Sequence, residues 1–196
     1  MRAFVTSFVF PVVALATVMK RSVPEGPWTA GIWRVPVNDD TLFTGDGINA
    51  SGGKFFVHRN ASAYCPDGVE GLDCSAYPGS RTVFTGGNDT IFLSVGVPGG
   101  QQVYAAADGS LSYTVPHSGA FPEGANATGF TRGMSQSFGA PIVLGKNSQF
   151  WYMCPVSEGG PRERTYQLYV GQGKEGCLDT EVRTYTSTGP NAWEYA

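Results

Sequence analysis

Charged residues and histidines are scarce in this chain. Asp, Glu, Lys and Arg make up only 15% of the 196 residues, and the two histidines are His58 and His117. The Gly-x-Ser-x-Gly motif of many serine hydrolases is absent. We therefore predict that the protein is not an enzyme and has no catalytic residues. A hydrolase whose paired carboxylates converge from distant loops is the weakest alternative.

Basic clusters and metal-ligand spacings are also missing. No Cys-x-x-Cys motif occurs, and neither histidine lies at ligand spacing from a cysteine, so we expect no metal and no cofactor. Removing residues 1–21, the predicted leader described below, takes three bases from thirteen and leaves ten against sixteen acids, a formal charge of −6. A negative chain without a basic cluster argues against nucleic acid and anionic membranes as partners.

Helical periodicity does not persist for three turns anywhere after that leader. The chain has 27 Gly, 13 Pro and 13% aromatic residues, a composition typical of short strands joined by turns. Its length suits one domain with a sizeable core. We therefore predict an all-β fold for residues 22–196, a single compact antiparallel domain. A β-sandwich or barrel is favoured, and three Gly-rich turns leading into aromatic strands keep a β-trefoil as a close alternative.

The strongest local folding signal is Asp108-Gly109, which is typical of a two-residue type I′ hairpin turn. Closing a two-residue turn there pairs Tyr104 with Tyr113 and Ala106 with Leu111 on one face. That face is predicted to be buried, whereas the opposite face is smaller and more polar.

Other strands are predicted from alternation and from glycine-rich turns. Ile91, Leu93, Val95 and Val97 alternate with Phe92, Ser94 and Gly96, and the apolar residues of 166–170 share one face. Gly45-Asp46-Gly47 and Gly86-Gly87 are interpreted as turns that separate strands. A short edge strand is expected at residues 41–44.

The N-terminus has the features of a secretory signal peptide. Arg2 supplies the positive charge, residues 4–18 are apolar and small, and Ala14-Leu15-Ala16 fits a signal-peptidase site. Lys20-Arg21 is either a dibasic processing site or a polar flank. We predict that residues 1–21 are a signal peptide plus a short pro-segment. The product is then secreted, extracellular or in the cell wall, with no membrane contact after export.

Four sequons follow the leader and agree with export. Their acceptors are Asn49, Asn60, Asn88 and Asn126, out of only seven asparagines. All four lie beside Gly or between predicted strands, where a glycan can project. We therefore predict an N-glycosylated protein.

All four cysteines also lie behind the leader, and an oxidising export route favours disulfides. Cys65, Cys74, Cys154 and Cys177 allow three pairings. Local pairing, Cys65–Cys74 and Cys154–Cys177, is the first choice, because each bond closes a small loop. The strand after Cys177 can also lie beside the strand that ends at Cys154. A crossed arrangement is the alternative.

The tryptophans are candidates for stacking on sugar rings. They are Trp28, Trp33, Trp151 and Trp193. Core packing is favoured for Trp151, while the role of Trp193 is left open. A secreted carbohydrate-binding module or effector is therefore an alternative function.

Several short stretches resemble, in the same order, the fungal secreted IgE-binding and phialide cell-wall protein family. They are INASGGKF at 48–55, PGGQQVY at 98–104, DGSLSYT at 108–114, Met153-Cys154-Pro155, Cys177-Leu178 and GPNAWEY at 189–195. The resemblance spans about residue 40 to the end. The region before Asn38 matches poorly, and residues 161–164 look unusual for the family.

The resemblance implies a secreted, wall-associated protein with no active site to transfer. Some members are linked to conidium-bearing cells, and some are allergens. The expected partners are therefore cell-wall polysaccharide and host IgE. Taken with the leader, the sequons and the cysteines, this makes a non-enzymatic glycoprotein of the fungal cell wall the first functional hypothesis.

Overall fold

Thirteen β-strands and one short 3₁₀ turn, Cys74–Ala76, form the part of the chain that the computed structural model describes, residues 23–35, 42–134 and 142–196. The strands are β1 Trp28–Arg34, β2 Phe43–Ser51, β3 Lys54–Val57, β4 Ala63–Tyr64, β5 Phe84–Leu93, β6 Gln101–Ala105, β7 Leu111–Tyr113, β8 Phe130–Met134, β9 Ile142–Lys146, β10 Phe150–Pro155, β11 Tyr166–Gly171, β12 Leu178–Thr186 and β13 Glu194–Tyr195. The all-β prediction is confirmed. The predicted leader and its Lys20-Arg21 pair lie outside the described residues.

The strands close into an antiparallel barrel. Nine of them follow one another in the order β3-β11-β10-β12-β9-β8-β5-β6-β7, and β7 pairs back to β3 through Lys54 and Ser112. β1 and β2 are additional strands: β2 lies beside β3, while β1 pairs with β2, β12 and β5. Closure leaves few unpaired strand edges, which limits pairing with other chains. The barrel is one of the architectures that the turn pattern left open.

Aromatic side chains from opposite parts of the barrel fill its core. Trp28 stacks on Phe84 with ring centroids 4.7 Å apart, and its Nε1 donates a hydrogen bond of 3.0 Å to the carbonyl oxygen of Gly86. Phe55 lies 5.5 Å from Phe84 and 5.3 Å from Tyr113. Such rings bury large apolar areas, and the indole N–H, which is the one polar side-chain group of Trp28, is hydrogen-bonded.

Burial confirms the alternation of residues 166–170, and it confirms that of residues 91–97 up to Leu93, after which Ser94 is buried as well. Ile91, Leu93 and Val97 are buried, and Val95 packs against the core from a half-buried position. Tyr166, Leu168 and Val170 are buried, whereas the residues between them are half-buried. Period-2 patterning therefore identified the inward faces of these segments.

The predicted hairpin forms, but with a register shifted by one residue. β6 and β7 pair Val103 with Tyr113 and Ala105 with Leu111, so the predicted pairing of Tyr104 with Tyr113 is wrong. A one-residue shift exchanges the two faces of a strand. Val103 and Ala105 consequently point into the core, and Tyr104 is half-buried.

The shift arises because the turn has three residues instead of two. The backbone N–H of Ala106 donates to the carbonyl of Ser110, and the N–H of Gly109 donates to the carbonyl of Ala106, both at 2.9 Å. Gly109 has φ +83°, the left-handed conformation of the bulge residue in such loops. A Cβ there would lie 2.5 Å from the carbonyl oxygen of Val170, so this position requires glycine for two reasons.

Two glycine-rich segments predicted as turns lie inside strands. β2 runs through Gly45 with φ +87°, and its register with β1 shifts at this point, which makes Gly45 the extra residue of a bulge. β5 likewise continues through Gly86 and Gly87, which have φ +81° and +111°. Both turn predictions are wrong, because a positive-φ glycine can bend a strand without ending it. β2 is also not an edge strand, since it pairs with β1 and β3.

The structure contains both local disulfides. Cys65 and Cys74 have Cα atoms 5.9 Å apart, and Cys154 and Cys177 have Cα atoms 4.2 Å apart. The second bond joins the end of β10 to the residue before β12, and these strands pair from Met153↔Leu178 onward. The crossed alternative is not present.

The C-terminal segment, residues 191–196, is integrated into one end of the barrel. The N–H groups of Gly96 and Val97 donate to the carbonyls of Ala192 and Trp193 at 3.1 and 2.9 Å. β13 pairs with β4, and the carbonyl of Ala196 accepts from the N–H of Gly52 at 2.8 Å.

Hydrogen bonds from two buried polar side chains also fix this segment to the barrel. Gln101, which is 1% exposed, donates from Nε2 to the carbonyls of Tyr195 (2.8 Å) and Thr114 (3.1 Å), and its Oε1 accepts from the N–H of Tyr195 at 2.8 Å. The Tyr195 hydroxyl donates to the carbonyl of Arg81 at 2.7 Å and accepts from the N–H of Val83 at 3.1 Å. Burial raises the pKa of Tyr195 to about 12.

Candidate functional site

Half-buried aromatic rings border a surface cleft of about 400 Å³ beside the Cys65–Cys74 loop. We call it the aromatic cleft, and its principal lining residues are Val69, Glu70, Leu72, Asp73, Tyr77 and Trp193. The rings of Tyr77 and Trp193 meet edge to face, with centroids 5.6 Å apart and an interplanar angle of 79°. Val69, at the rim, is 49% exposed.

The loop side of the cleft is held by local bonds. The Cys65–Cys74 disulfide closes the loop, and within it the N–H of Leu72 donates to the carbonyl of Val69 at 3.1 Å. Asp73 caps the 3₁₀ turn, because its Oδ1 accepts from the Ser75 N–H at 2.9 Å and from the Ser75 hydroxyl at 2.7 Å. These bonds fix the loop without burying it.

The other side of the cleft belongs to the barrel. The ring of Tyr77 lies against Gly96, where a Cβ would come within 2.6 Å of it. Trp193 is part of the C-terminal segment, and its backbone carbonyl accepts from Val97. Tyr77 and Trp193 are therefore held in position by their contacts with the barrel.

This combination of groups suits a sugar. The apolar C–H face of a pyranose packs on an aromatic ring, and its hydroxyls donate to carboxylate oxygens. The hydrogen bonds from the Ser75 side chain and backbone hold the pKa of Asp73 below its ordinary value, so this group is a carboxylate at neutral pH. Glu70 supplies a second carboxyl group at the cleft.

The other tryptophans are placed less favourably for a ligand. Trp28 is fully buried and Trp151 is 4% exposed, which agrees with the predicted core role of Trp151. The half-buried Trp33 is covered by Arg183, whose guanidinium carbon lies 3.9 Å from the ring centroid. Trp33 and Trp193 both border surface clefts, but the ring of Trp33 is covered by Arg183, whereas the ring of Trp193 meets Tyr77.

The two histidines are not brought together. His58 donates from Nδ1 to the carbonyl of Arg164 at 2.9 Å, and its Nε2 lies 3.4 Å from Oδ1 of Asp46. Its ring also stacks on Phe43, with centroids 5.6 Å apart. His117 lies exposed in a loop. Within the described ranges, no three His, Cys, Asp or Glu residues are grouped so that they could hold a metal ion.

The four predicted glycan acceptors differ in their surroundings. Asn60, Asn88 and Asn126 are exposed. Asn49 is half-buried in β2, where Nδ2 donates to the carbonyl of Arg59 at 2.8 Å and Oδ1 accepts from the N–H of Thr82 at 3.3 Å. Glycosylation of all four stays a prediction.

Comparison with known proteins places the chain among secreted proteins. The family model for PhiA-like secreted proteins matches residues 41–196. The chain belongs to the PhiA-like secreted protein family. An uncharacterized secreted protein of the fungus Arthroderma benhamiae is 29% identical over an alignment of 212 positions, which covers 98% of each chain. No solved structure matches.

These matches confirm the family resemblance and the predicted secretion. Within the part of the chain that the structure describes, no helix is long and apolar enough to cross a membrane.

Sequence reasoning singled out Trp193 but missed its partners in the cleft. Tyr77 lies outside the strands predicted from the sequence, and Val69 and Leu72 lie inside the Cys65–Cys74 loop. The available signal was an aromatic residue directly before Pro78-Gly79, next to a disulfide and therefore held in place. Its contact with Trp193 joins residues far apart in sequence, which local patterns do not reveal.

Proposed function

We propose that this protein is a non-enzymatic, N-glycosylated component of the fungal cell wall that contacts wall polysaccharide through the aromatic cleft. The observation that carries the proposal is the half-buried edge-to-face pair of Tyr77 and Trp193, which borders the cleft beside Glu70 and Asp73. The membership in a secreted family and the match to a fungal secreted protein support the location.

The binding part is tested by depletion of the purified protein from solution with insoluble chitin, β-1,3-glucan or mannan. We expect saturable binding to one of these polymers. Trp193→Ala should weaken it about tenfold or more, the effect expected when an aromatic contact is removed from the centre of a binding site. Phe150→Ala is the matched control, because Phe150 is an aromatic residue that is 73% exposed elsewhere on the barrel. Equal binding by wild type and Trp193→Ala would contradict this site.

The non-enzymatic part is tested with the same polymers by measuring the release of reducing ends. We expect no release above that of a heat-denatured sample. Turnover that disappears in Glu70→Gln or Asp73→Asn would instead assign the cleft to a hydrolase. Extraction from washed fungal walls, followed by detection with an antibody, tests the wall location independently of binding.

A further inference from the structure

A second cavity, of about 520 Å³, opens beside the tip of the β6–β7 hairpin. Its volume lies within the roughly 300–1,000 Å³ typical of small-molecule sites. The polar side chains that line it include Asp108, Asn126, Asn147, Gln149, Gln172 and Lys174. Amides and carboxylates of this kind form hydrogen bonds with hydroxyl and acetamido groups.

Asn126, the acceptor of the fourth sequon, lies at the wall of this cavity with its backbone tightly held. Its N–H donates to the carbonyl of Ala105 at 2.8 Å, and its carbonyl accepts from the N–H of Ala105 at 2.9 Å. These two bonds join the sequon to the end of β6, so the position of Asn126 relative to the hairpin is set by the fold.

The side-chain amide of Asn126 is oriented through its oxygen. Oδ1 accepts from the Thr128 N–H at 2.9 Å, from the Thr128 hydroxyl at 3.3 Å and from the Lys146 ammonium at 2.8 Å. Lys146 is only 1% exposed, donates also to the carbonyl of Thr128, and lies 4.7 Å from the ring centroid of Phe130. With the oxygen bound in this way, the nitrogen is the end of the amide that is left for attachment of a sugar.

We infer that Asn126 carries an N-glycan whose first N-acetylglucosamine residues lie in this cavity. The inference rests on the N-glycosylation included in the proposed function. In the attachment, Nδ2 forms a bond to the anomeric carbon of the sugar, loses one proton, and displaces the lipid pyrophosphate that carried the oligosaccharide. Because the sugar is tethered at the cavity wall, its effective concentration there is high, and weak hydrogen bonds to residues such as Gln149 and Gln172 suffice to hold it.

The test compares the glycosylated wild-type chain, secreted from a eukaryotic host, with Thr128→Ala, which loses the sequon, and Thr128→Ser, which keeps it. Mass spectrometry of the Asn126 peptide measures occupancy. Limited trypsin digestion of the disulfide-intact protein measures docking, because Lys174 lies at the cavity. Cleavage after Arg162 serves as an internal reference, since both bonds precede a glutamate and Arg162 does not line the cavity.

We expect Asn126 to be occupied in the wild type and in Thr128→Ser, and cleavage after Lys174 to be severalfold faster in Thr128→Ala. Wild-type chain made in a host without N-glycosylation should match Thr128→Ala, which separates loss of the glycan from loss of the Thr128 hydroxyl. Ser62→Ala, which removes only the Asn60 sequon, should leave the cleavage rate unchanged.

Two results would overturn the inference. An occupied Asn126 with equal cleavage after Lys174 in all forms would mean that the glycan stands away from the cavity, although the protein is glycosylated. An unoccupied Asn126 beside occupied sequons elsewhere would also reject it, again without affecting the proposed function. Absence of glycan from all four sequons would reject the glycosylation part of the proposed function as well.

Discussion

The C-terminal segment and the Cys65–Cys74 loop meet at the aromatic cleft but are held in different ways. The C-terminal segment is fixed by buried hydrogen bonds, chiefly to Gln101 and from the hydroxyl of Tyr195. The loop is closed by a disulfide and a single 3₁₀ turn, and no residue of that turn is buried. One side of the cleft therefore depends on the integrity of the barrel, whereas the other depends on a local covalent bond.

This difference is typical of binding sites built from a rigid scaffold and an exposed loop. The scaffold side sets where Trp193 lies, and the loop side supplies polar groups that can vary without damage to the core. We therefore expect changes on the barrel side to affect stability first and changes on the loop side to affect binding first.

The largest effect is expected from Gln101→Ala. The substitution leaves the N–H and carbonyl of Tyr195 and the carbonyl of Thr114 without their Gln101 partner in a buried site. Each unsatisfied buried group costs about 1–3 kcal/mol, so the free energy of unfolding should fall by about 3–5 kcal/mol. Urea unfolding followed by tryptophan fluorescence measures it.

Gln102→Ala is the matched control, since Gln102 is the next residue and is only half-buried. It should change the free energy of unfolding by less than about 1 kcal/mol. Equal losses for the two variants would mean that the buried hydrogen bonds do not hold the C-terminal segment.

The two disulfides differ in the same way as the two sides of the cleft, and their removal should give the next largest loss of stability. In the loop-entropy account, the Cys154–Cys177 closure, with 23 residues of separation, should contribute about 3 kcal/mol, slightly more than the Cys65–Cys74 closure with 9. We expect the paired Cys154→Ser/Cys177→Ser variant to lose more stability. The paired Cys65→Ser/Cys74→Ser variant should lose more polysaccharide binding. The opposite order in either measurement would contradict the comparison.

The sequence predicted features that depend on local order. The inward faces of residues 91–97 and 166–170 follow from alternation, and the local cysteine pairing follows from short loop lengths. These patterns succeed because the residues that decide the outcome are neighbours in the chain.

The predictions failed where contacts between residues far apart in the sequence determine the structure. Asp-Gly suits both a two-residue turn and a three-residue loop with a glycine bulge, and here the chain takes the second, with Gly109 packed against the backbone of Val170. The burial of Gln101 could not be predicted from local sequence either, because its hydrogen-bond partner Tyr195 lies 94 residues away. The bulge at Gly45 and the positive-φ glycines of β5, Gly86 and Gly87, resemble turns in sequence because many turns need positive φ as well.

Alkaline pH should lower the free energy of unfolding by a smaller amount, through a group on the barrel side of the cleft. The pKa of Tyr195 is raised to about 12 in the folded protein, against about 10 in an unfolded chain. The folded state therefore keeps the proton that the unfolded state loses, and this stability is fully present below pH 10. It should be lost as the pH rises through 12, by about 2–3 kcal/mol in total. Urea unfolding between pH 9 and 12 measures the slope.

Tyr195→Phe is the variant that isolates this group. It should be less stable than the wild type at neutral pH, because two hydrogen bonds are lost, but its stability should fall less steeply above pH 10. Burial also raises the pKa values of Tyr113, Tyr166 and Tyr169, so part of the slope should remain. An unchanged slope would contradict the assignment to Tyr195.

Apart from the control Gln102→Ala, the smallest loss of stability is expected from Trp193→Ala. Trp193 lies where the C-terminal segment meets the Cys65–Cys74 loop. The side chain is half-buried and its ring meets that of Tyr77 edge to face, whereas the backbone hydrogen bond to its carbonyl remains in the variant. An aromatic pair of this kind contributes about 0.5–1.5 kcal/mol beyond the apolar area that its rings bury, so with the burial included urea unfolding should show a loss of about 2 kcal/mol. Polysaccharide binding should nevertheless fall more than in Gln101→Ala measured under conditions where that variant is folded. A loss of stability as large as that of Gln101→Ala would make Trp193 part of the barrel core instead of the binding surface.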